Sequence, residues 1–241
     1  TKIGSWIPVD PTTGKDGDPI PFPNDPNDPT KTGEITQIIP HKDGYTPKDG
    51  NGTPLEPVNP AKPEEGYKPP KITDPKANIK ITYEKDNQKA KVKFVSVDDK
   101  GVETPLDTKY NIDDLTGKSG DKIPEEKVQA RVDVLKSMGY DVVDNPFDQD
   151  PTFDTKKEID QEFTIKVKPQ VSTAKPVYVV EGDKPSSEKL KDAVTTKGNE
   201  KTVDETKLPD TTDKVGDDTL TAPVTVTYGS GDNKREETVN V

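Results

Sequence analysis

The sequence has no cysteine, and one histidine, one methionine and one tryptophan in 241 residues. Without cysteine there is no disulfide framework, no thiol nucleophile and no thiolate zinc site. His41 is the single imidazole, so a Cys-His pair and a metalloprotease motif are both excluded. A Ser-His-Asp triad would have to use His41, and no nucleophile-elbow motif accompanies it. His41 instead reads as a loop residue in a proline-rich stretch. Apolar residues are scarce too, at 27% against 34% charged. That composition borders on the disordered class and is too poor in apolar residues for one large core. Several small domains joined by polar segments fit better. No signal peptide and no apolar run of about 18 residues appears. Thr1 at the start and Met138 as the single methionine read as a piece of a longer chain. A net charge of −11 with a pI near 4.8 argues against nucleic acid and anionic membrane as partners.

Proline is what residues 1–75 have in abundance, holding 16 of the chain's 25. Each fixes its own φ and drives the preceding residue into an extended conformation, which excludes a long helix. Wholly polyproline-like, the segment would rise about 3.1 Å per residue and act as a stiff spacer. Trp6, Ile7, Ile20, Phe22, Ile38, Ile39, Tyr45, Leu55 and Tyr67 interrupt it. That frequency of apolar side chains predicts docking on itself or on a neighbouring domain. Asp49-Gly-Asn-Gly52 is a turn signal.

Residues 76–170 read as a middle domain. Ile79, Ile81 and Tyr83 alternate with polar residues, as do Ala90, Val92 and Phe94, so two strands joined as a hairpin across Lys85–Lys89 are expected. Residues 102–110 suggest another short strand. Leu115–Gly120 reads as a glycine-rich turn, followed by a helix starting at Pro124. Glu125 and Glu126 suit its first turn. Val128, Val132, Leu135 and Met138 recur at spacings of four and three, one face of that helix. Gly139 ends it as a left-handed cap. Tyr140–Val143 and Phe163–Val167 then follow as strands. Strand, strand, helix, strand, strand is the order of a β-grasp.

Residues 171–241 read as a third, smaller β domain. Strands are expected at Pro176–Val180, Pro223–Tyr228 and Glu237–Val241, with a short helix capped by Ser186 or Ser187. The fold class is therefore multidomain and β-rich α+β, with an extended proline-rich N-terminal segment.

Few residues stand out as a site. Aromatics stack on sugars, so Trp6, Tyr45 and Tyr67 are the ligand candidates; docking against a domain is the plainer reading. Asp141, Asp144, Asp148, Asp150 and Asp154 are calcium candidates, since calcium takes six to eight oxygens. The run lacks the EF-hand spacing, and a solvated loop is the favoured alternative. No other cofactor is expected. Gly117-Lys118-Ser119 lacks the leading glycine spacing of a phosphate loop. Asn51-Gly-Thr53 matches a glycosylation acceptor but reads as a turn. Nothing indicates an enzyme.

A family resemblance is carried by several stretches. Gly4–Lys31, Ile39-Pro-His-Lys-Asp-Gly-Tyr45 and Gly66-Tyr-Lys-Pro-Pro70 resemble the proline-rich connector of Mub-type mucus-binding surface proteins of lactic-acid bacteria. Residues 77–168 resemble the Mub/MucBP repeat domain, through Leu115-Thr-Gly-Lys-Ser-Gly120, Ser137-Met-Gly-Tyr-Asp-Val142 and Phe153-Asp154. Residues 174–241 are similar to Rib/alpha-like repeats, through Val179–Pro185 and Val224–Tyr228. There Tyr228 is followed by Gly-Ser-Gly instead of the family's Pro-Asp-Gly. The resemblance implies a ubiquitin-like β-grasp in the middle and a small Ig-like sandwich at the end. It also implies a non-catalytic adhesin anchored to the wall of a Gram-positive cell and binding mucin glycoproteins or other host glycans. Host proteins such as immunoglobulin are a further implied partner, and the fragment itself is expected to be monomeric. The alternative is a structural stalk that projects a distal adhesive domain.

Overall fold

The computed structural model describes residues 2–241. In chain order, β1 is Ser5–Pro8, β2 Ile20–Pro21, β3 Asn24–Asp25, β4 Asp28–Thr32, β5 Tyr45–Lys48, β6 Ile79–Lys85, β7 Asn87–Val97, β8 Glu103–Pro105 and β9 Ile112–Lys118. Helix α1 is Glu126–Ser137, followed by β10 Tyr140–Asp144, β11 Gln161–Pro169 and β12 Thr173–Ala174. Helix α2 is Ser187–Asp192, and the last strands are β13 Val194–Thr195, β14 Glu200–Val203, β15 Pro223–Ser230 and β16 Asn233–Asn240. The chain divides into two compact units. The first holds Thr1–Lys91, Asp113–Ile123 and Asp150–Glu162; the second holds Val92–Ile112, Pro124–Gln149 and Phe163–Val241.

In the first unit the proline-rich segment folds. It supplies three strands of a four-stranded sheet of order β2-β1-β6-β5. β1 runs parallel to β6, with Trp6 opposite Ile79, and β5 runs antiparallel to it, with Thr46 opposite Glu84. Trp6, Phe22, Ile39, Tyr67, Ile81 and Tyr83 form a core beneath the sheet. The Trp6 and Phe22 rings meet edge-on at 4.7 Å, a favoured aromatic geometry. The polar tips of two core rings have partners: the Trp6 indole N–H donates to the Pro70 carbonyl at 3.0 Å, and the Tyr83 hydroxyl to Pro40 at 2.6 Å. Burial, then the neighbouring Tyr67, pushes the Tyr83 phenol up to about 12. This corrects two expectations. The N-terminal segment is not extended, because its apolar side chains bury more by folding than a spacer would. β6 is not the hairpin partner of β7. Its inward residues Ile81 and Tyr83 belong to the N-terminal core, and both of its edges are taken by β1 and β5.

Lys85–Lys89 accordingly makes no hairpin turn. Asp86 alone separates β6 from β7. Its N–H donates to Gly44 O and its carbonyl accepts from the Ser119 N–H, both at 2.8 Å, and Thr46 donates its hydroxyl to the Asp86 carboxylate.

The sheet of residues 87–169 has the order β10-β11-β7-β8, with β9 also paired to β7. In the second unit α1 packs on β10. Val128, Val132 and Leu135 are buried, as the three-four spacing demands. The cap is Glu125, one residue beyond Pro124, and Gly139 follows the helix at φ +78°. Replacing Leu135, which is 1% exposed, by alanine is expected to destabilise this unit by about 2–5 kcal/mol. Urea titration followed by far-UV circular dichroism reads this as a lower midpoint at unchanged slope.

Residues 171–241 form an antiparallel sheet β14-β15-β16 and the two-stranded ladder β12-β13. Leu190, Val194, Ala222, Val224, Val226, Tyr228 and Val239 make their core. The Ser186 hydroxyl caps α2 by accepting from the Lys189 N–H. Pro176–Val180, read above as a strand, is not one. Val177 alone turns inward onto the core, while Tyr178 and Val180 are 89% and 73% exposed.

Candidate functional site

The stretch with the strongest motifs is 113–154, and the structure shows what those motifs do. Leu115–Lys118 is not a turn but the end of β9. Leu115 and Ser119 are buried. Gly117 lies against the Phe153 ring, and a Cβ there would fall 2.3 Å from Phe153 Cε2. The glycine therefore serves close packing. The turn itself is at Gly120, whose N–H donates to Phe153 O at 2.8 Å while the Phe153 N–H donates to Asp121 O at 2.9 Å. The two distant motifs, LTGKSG and Phe153-Asp154, thus bind one another. Asp154 extends the contact: its carbonyl accepts from the buried Gln88 amide at 2.9 Å.

Around this knot the surface is a mesh of opposite charges. Lys85 contacts Asp121 at 2.6 Å, Lys118 reaches Glu84 at 3.9 Å, Lys122 contacts Asp150 at 3.0 Å and Lys48 pairs with Glu84. In the second unit, Lys166 reaches Glu103 and Lys168 reaches Asp99, each at 2.6 Å. These partners hold the Asp99 carboxyl below its usual range and both lysines above theirs. Such paired, solvated charges suit hydrogen bonding to polar ligands.

The candidate side chains lie elsewhere than a binding face requires. Trp6 is 0% exposed and Tyr67 6%, so both rings are core. Their apolar faces pack under the N-terminal sheet, where no sugar reaches. Tyr45 is half-buried against the same core. His41 stacks on Tyr67 at 6.1 Å between ring centres and meets Asp43 at 3.0 Å. The five aspartates do not converge. Asp141 accepts from Gln170 at 3.1 Å, Asp144 stands opposite Lys166 in the β10-β11 ladder, and Asp148 sits in a short 3-10 turn. Asp150 pairs with Lys122, and Asp154 caps the Lys156 N–H. No group of three or more acidic or imidazole side chains placed to hold a metal occurs among the described residues.

Two features escaped the sequence reading. One is Tyr178, an aromatic ring almost fully in solvent. The other is a seam in the second unit. Arg235 donates from Nε to Met138 O at 3.0 Å, and from Nη2 to Gly139 O and Gln170 O at 3.1 and 3.0 Å. Its guanidinium lies 4.1 Å from the Tyr228 ring centre and 5.2 Å from that of Tyr140. A cation placed just beyond the C-terminal end of α1, on the cap carbonyl of Met138 and on Gly139, is favoured by the helix dipole. Nothing in the pattern around Arg235 announces a partner about a hundred residues earlier.

A search of curated proteins finds no match. No helix among the described residues is long and apolar enough to cross a membrane. Residues 88–169 match the model of a family described as mucin binding domain. That range holds Leu115–Gly120, Ser137–Val142 and Phe153-Asp154 together, so over residues 88–169 the chain is similar to mucin-binding domains of the Mub/MucBP type.

Proposed function

We propose that this chain is a non-catalytic part of a cell-surface adhesin, and that residues 88–169 hold mucin glycans weakly, one domain at a time. The family match to the mucin binding domain carries this reading. The surface of paired lysines and carboxylates supports it, because such groups meet sugar hydroxyls by exchangeable hydrogen bonds. Useful strength then comes from many copies: linking weak sites raises avidity about 10²–10⁴-fold without new contacts. We take the domain as a β-grasp from its strand and helix order, and residues 171–241 as a Rib-like β domain. Export to the wall of a Gram-positive cell goes with that role.

A stalk role is the second reading, and the Arg235 seam favours it. The Ser137–Val142 motif is there engaged by the C-terminal hairpin instead of being left free for a ligand. Binding of the full chain to immobilised mucin separates the two. Saturable binding that strengthens on tetramerisation and disappears after glycan removal is the expected result. No binding by monomer or tetramer overturns the adhesin reading in favour of the stalk.

A further inference from the structure

Gln170–Ser172 is the short linker between β11 and β12. It is held by side chains from the β15-β16 hairpin. The Gln170 carbonyl takes the Arg235 bond described above, and the Gln170 N–H donates to Gly139 O at 2.7 Å. Ser172 is 9% exposed. Its backbone N–H donates to Glu237 Oε2 at 2.8 Å and its hydroxyl to Glu237 Oε1 at 2.6 Å. The Tyr228 hydroxyl donates to the same Oε1 at 3.0 Å. Thr196 Oγ1 lies 2.7 Å from Ser172 Oγ and 3.2 Å from the Tyr228 hydroxyl. One carboxylate therefore gathers three donors, two of them from the linker.

We propose that Glu237 is an acid-released latch: ionised, it pins the linker after the mucin-binding domain, and protonated, it lets Ser172 go. The chemistry is asymmetric. A neutral carboxyl keeps one carbonyl oxygen and gains an O–H, so it cannot accept from the Ser172 amide and from both hydroxyls as the carboxylate does, and the bond that the Ser172 amide keeps is to a neutral oxygen. Protonation also removes the charge assistance that makes such bonds about twice as strong as neutral ones. The charged and titratable groups facing Glu237 are Arg235 from β16 and Tyr228 from β15. β12 presents Thr173 and Ala174, which do not titrate, and the linker and the residue after β13 present the hydroxyls of Ser172 and Thr196. Burial raises the Glu237 carboxyl, but Ser172, Tyr228 and Arg235 outweigh it and leave it below its usual value. The sign follows. Stability from a depressed carboxyl is complete above the ordinary glutamate range, near pH 4.3, and is lost as pH falls through the folded value.

The test is amide hydrogen exchange on the full 241-residue chain, with rates referred to the intrinsic rate at each pH. Wild type is expected to protect the Ser172 amide at pH 7 and to lose that protection in acid while Val226 in β15 stays protected. Glu237→Gln is expected to speed Ser172 exchange about tenfold at pH 7 with Val226 unchanged. Unchanged Ser172 protection in the variant overturns the latch. So does loss of Val226 protection in step with Ser172, in acid or in the variant, because Glu237 would then hold the whole sheet and not the linker.

Discussion

Trp6→Ala is expected to destabilise the N-terminal sheet by about 3–5 kcal/mol. Nothing else in that core compares with this ring in size. It is 0% exposed and stands in β1, the strand that runs parallel to β6. Removing it takes away the edge contact with Phe22 and leaves the Pro70 carbonyl without its indole donor. The surrounding core has few residues with which to close the cavity. Against a domain stability of about 5–15 kcal/mol, that loss removes a large fraction of what holds the sheet together and leaves it marginal at the lower end of that range. The chain offers its own probe, since Trp6 is the single tryptophan. Wild-type emission should be blue-shifted and shielded from iodide, and its denaturant midpoint should report the N-terminal sheet alone. The alanine variant is followed by the methyl resonances of Ile39 and Ile81. A change of under 1 kcal/mol, or free quenching of the wild-type fluorescence, would show that the indole is not in the core. Trp6→Phe, which keeps an aromatic ring in the site, should lose much less.

Local pattern was legible in the sequence where the fold itself is local. The spacing of Val128, Val132 and Leu135 gave α1, and the alternation along β11, β15 and β16 gave strands. Both signals report which face of an element meets apolar neighbours. Neither names the neighbour. β6 shows the difference: Ile81 and Tyr83 alternate as expected, yet the strand pairs with Trp6–Pro8 more than 70 residues earlier and not with the strand next to it. Proline misled in a related way. It excludes helix but permits short strands and turns, so 16 prolines are compatible with the small sheet whose core holds Trp6, Phe22 and Tyr67. The candidate site was less legible still. Stacking aromatics and core aromatics are the same residues in a sequence, and only burial separates Trp6 from Tyr178. Glycine has the same ambiguity. Gly117 and Gly120 both looked like turn residues, and only Gly120 is one, because Gly117 is there to admit the Phe153 ring.

Gly139→Ala should be a strongly damaging single-methyl change in the second unit, and Gly120→Ala, a backbone control in the first, shows why. Both glycines have positive φ, +78° and +83°, so each alanine carries about 1–2 kcal/mol of left-handed strain. At Gly120 a Cβ would meet nothing within 4 Å. At Gly139 it would fall 2.4 Å from Tyr228 Cδ1 and 2.8 Å from Arg235 Nη2. Tyr228 is 2% exposed and tied to Ser172 and Glu237, so it has no room to retreat, and Arg235 can move only by giving up its bonds to Met138, Gly139 and Gln170. Overpacking of that kind typically adds about 1–3 kcal/mol. Gly139→Ala is therefore expected to lose about 2–5 kcal/mol in denaturant titration, and Gly120→Ala about 1–2. The excess should shrink in a Tyr228→Ala background, where the clash with the ring is gone and that with Arg235 remains, while the backbone strain should persist. Equal losses at the two glycines, with no coupling to Tyr228, would mean that the C-terminal hairpin does not dock on the end of α1, and the stalk reading would lose the contact on which it stands.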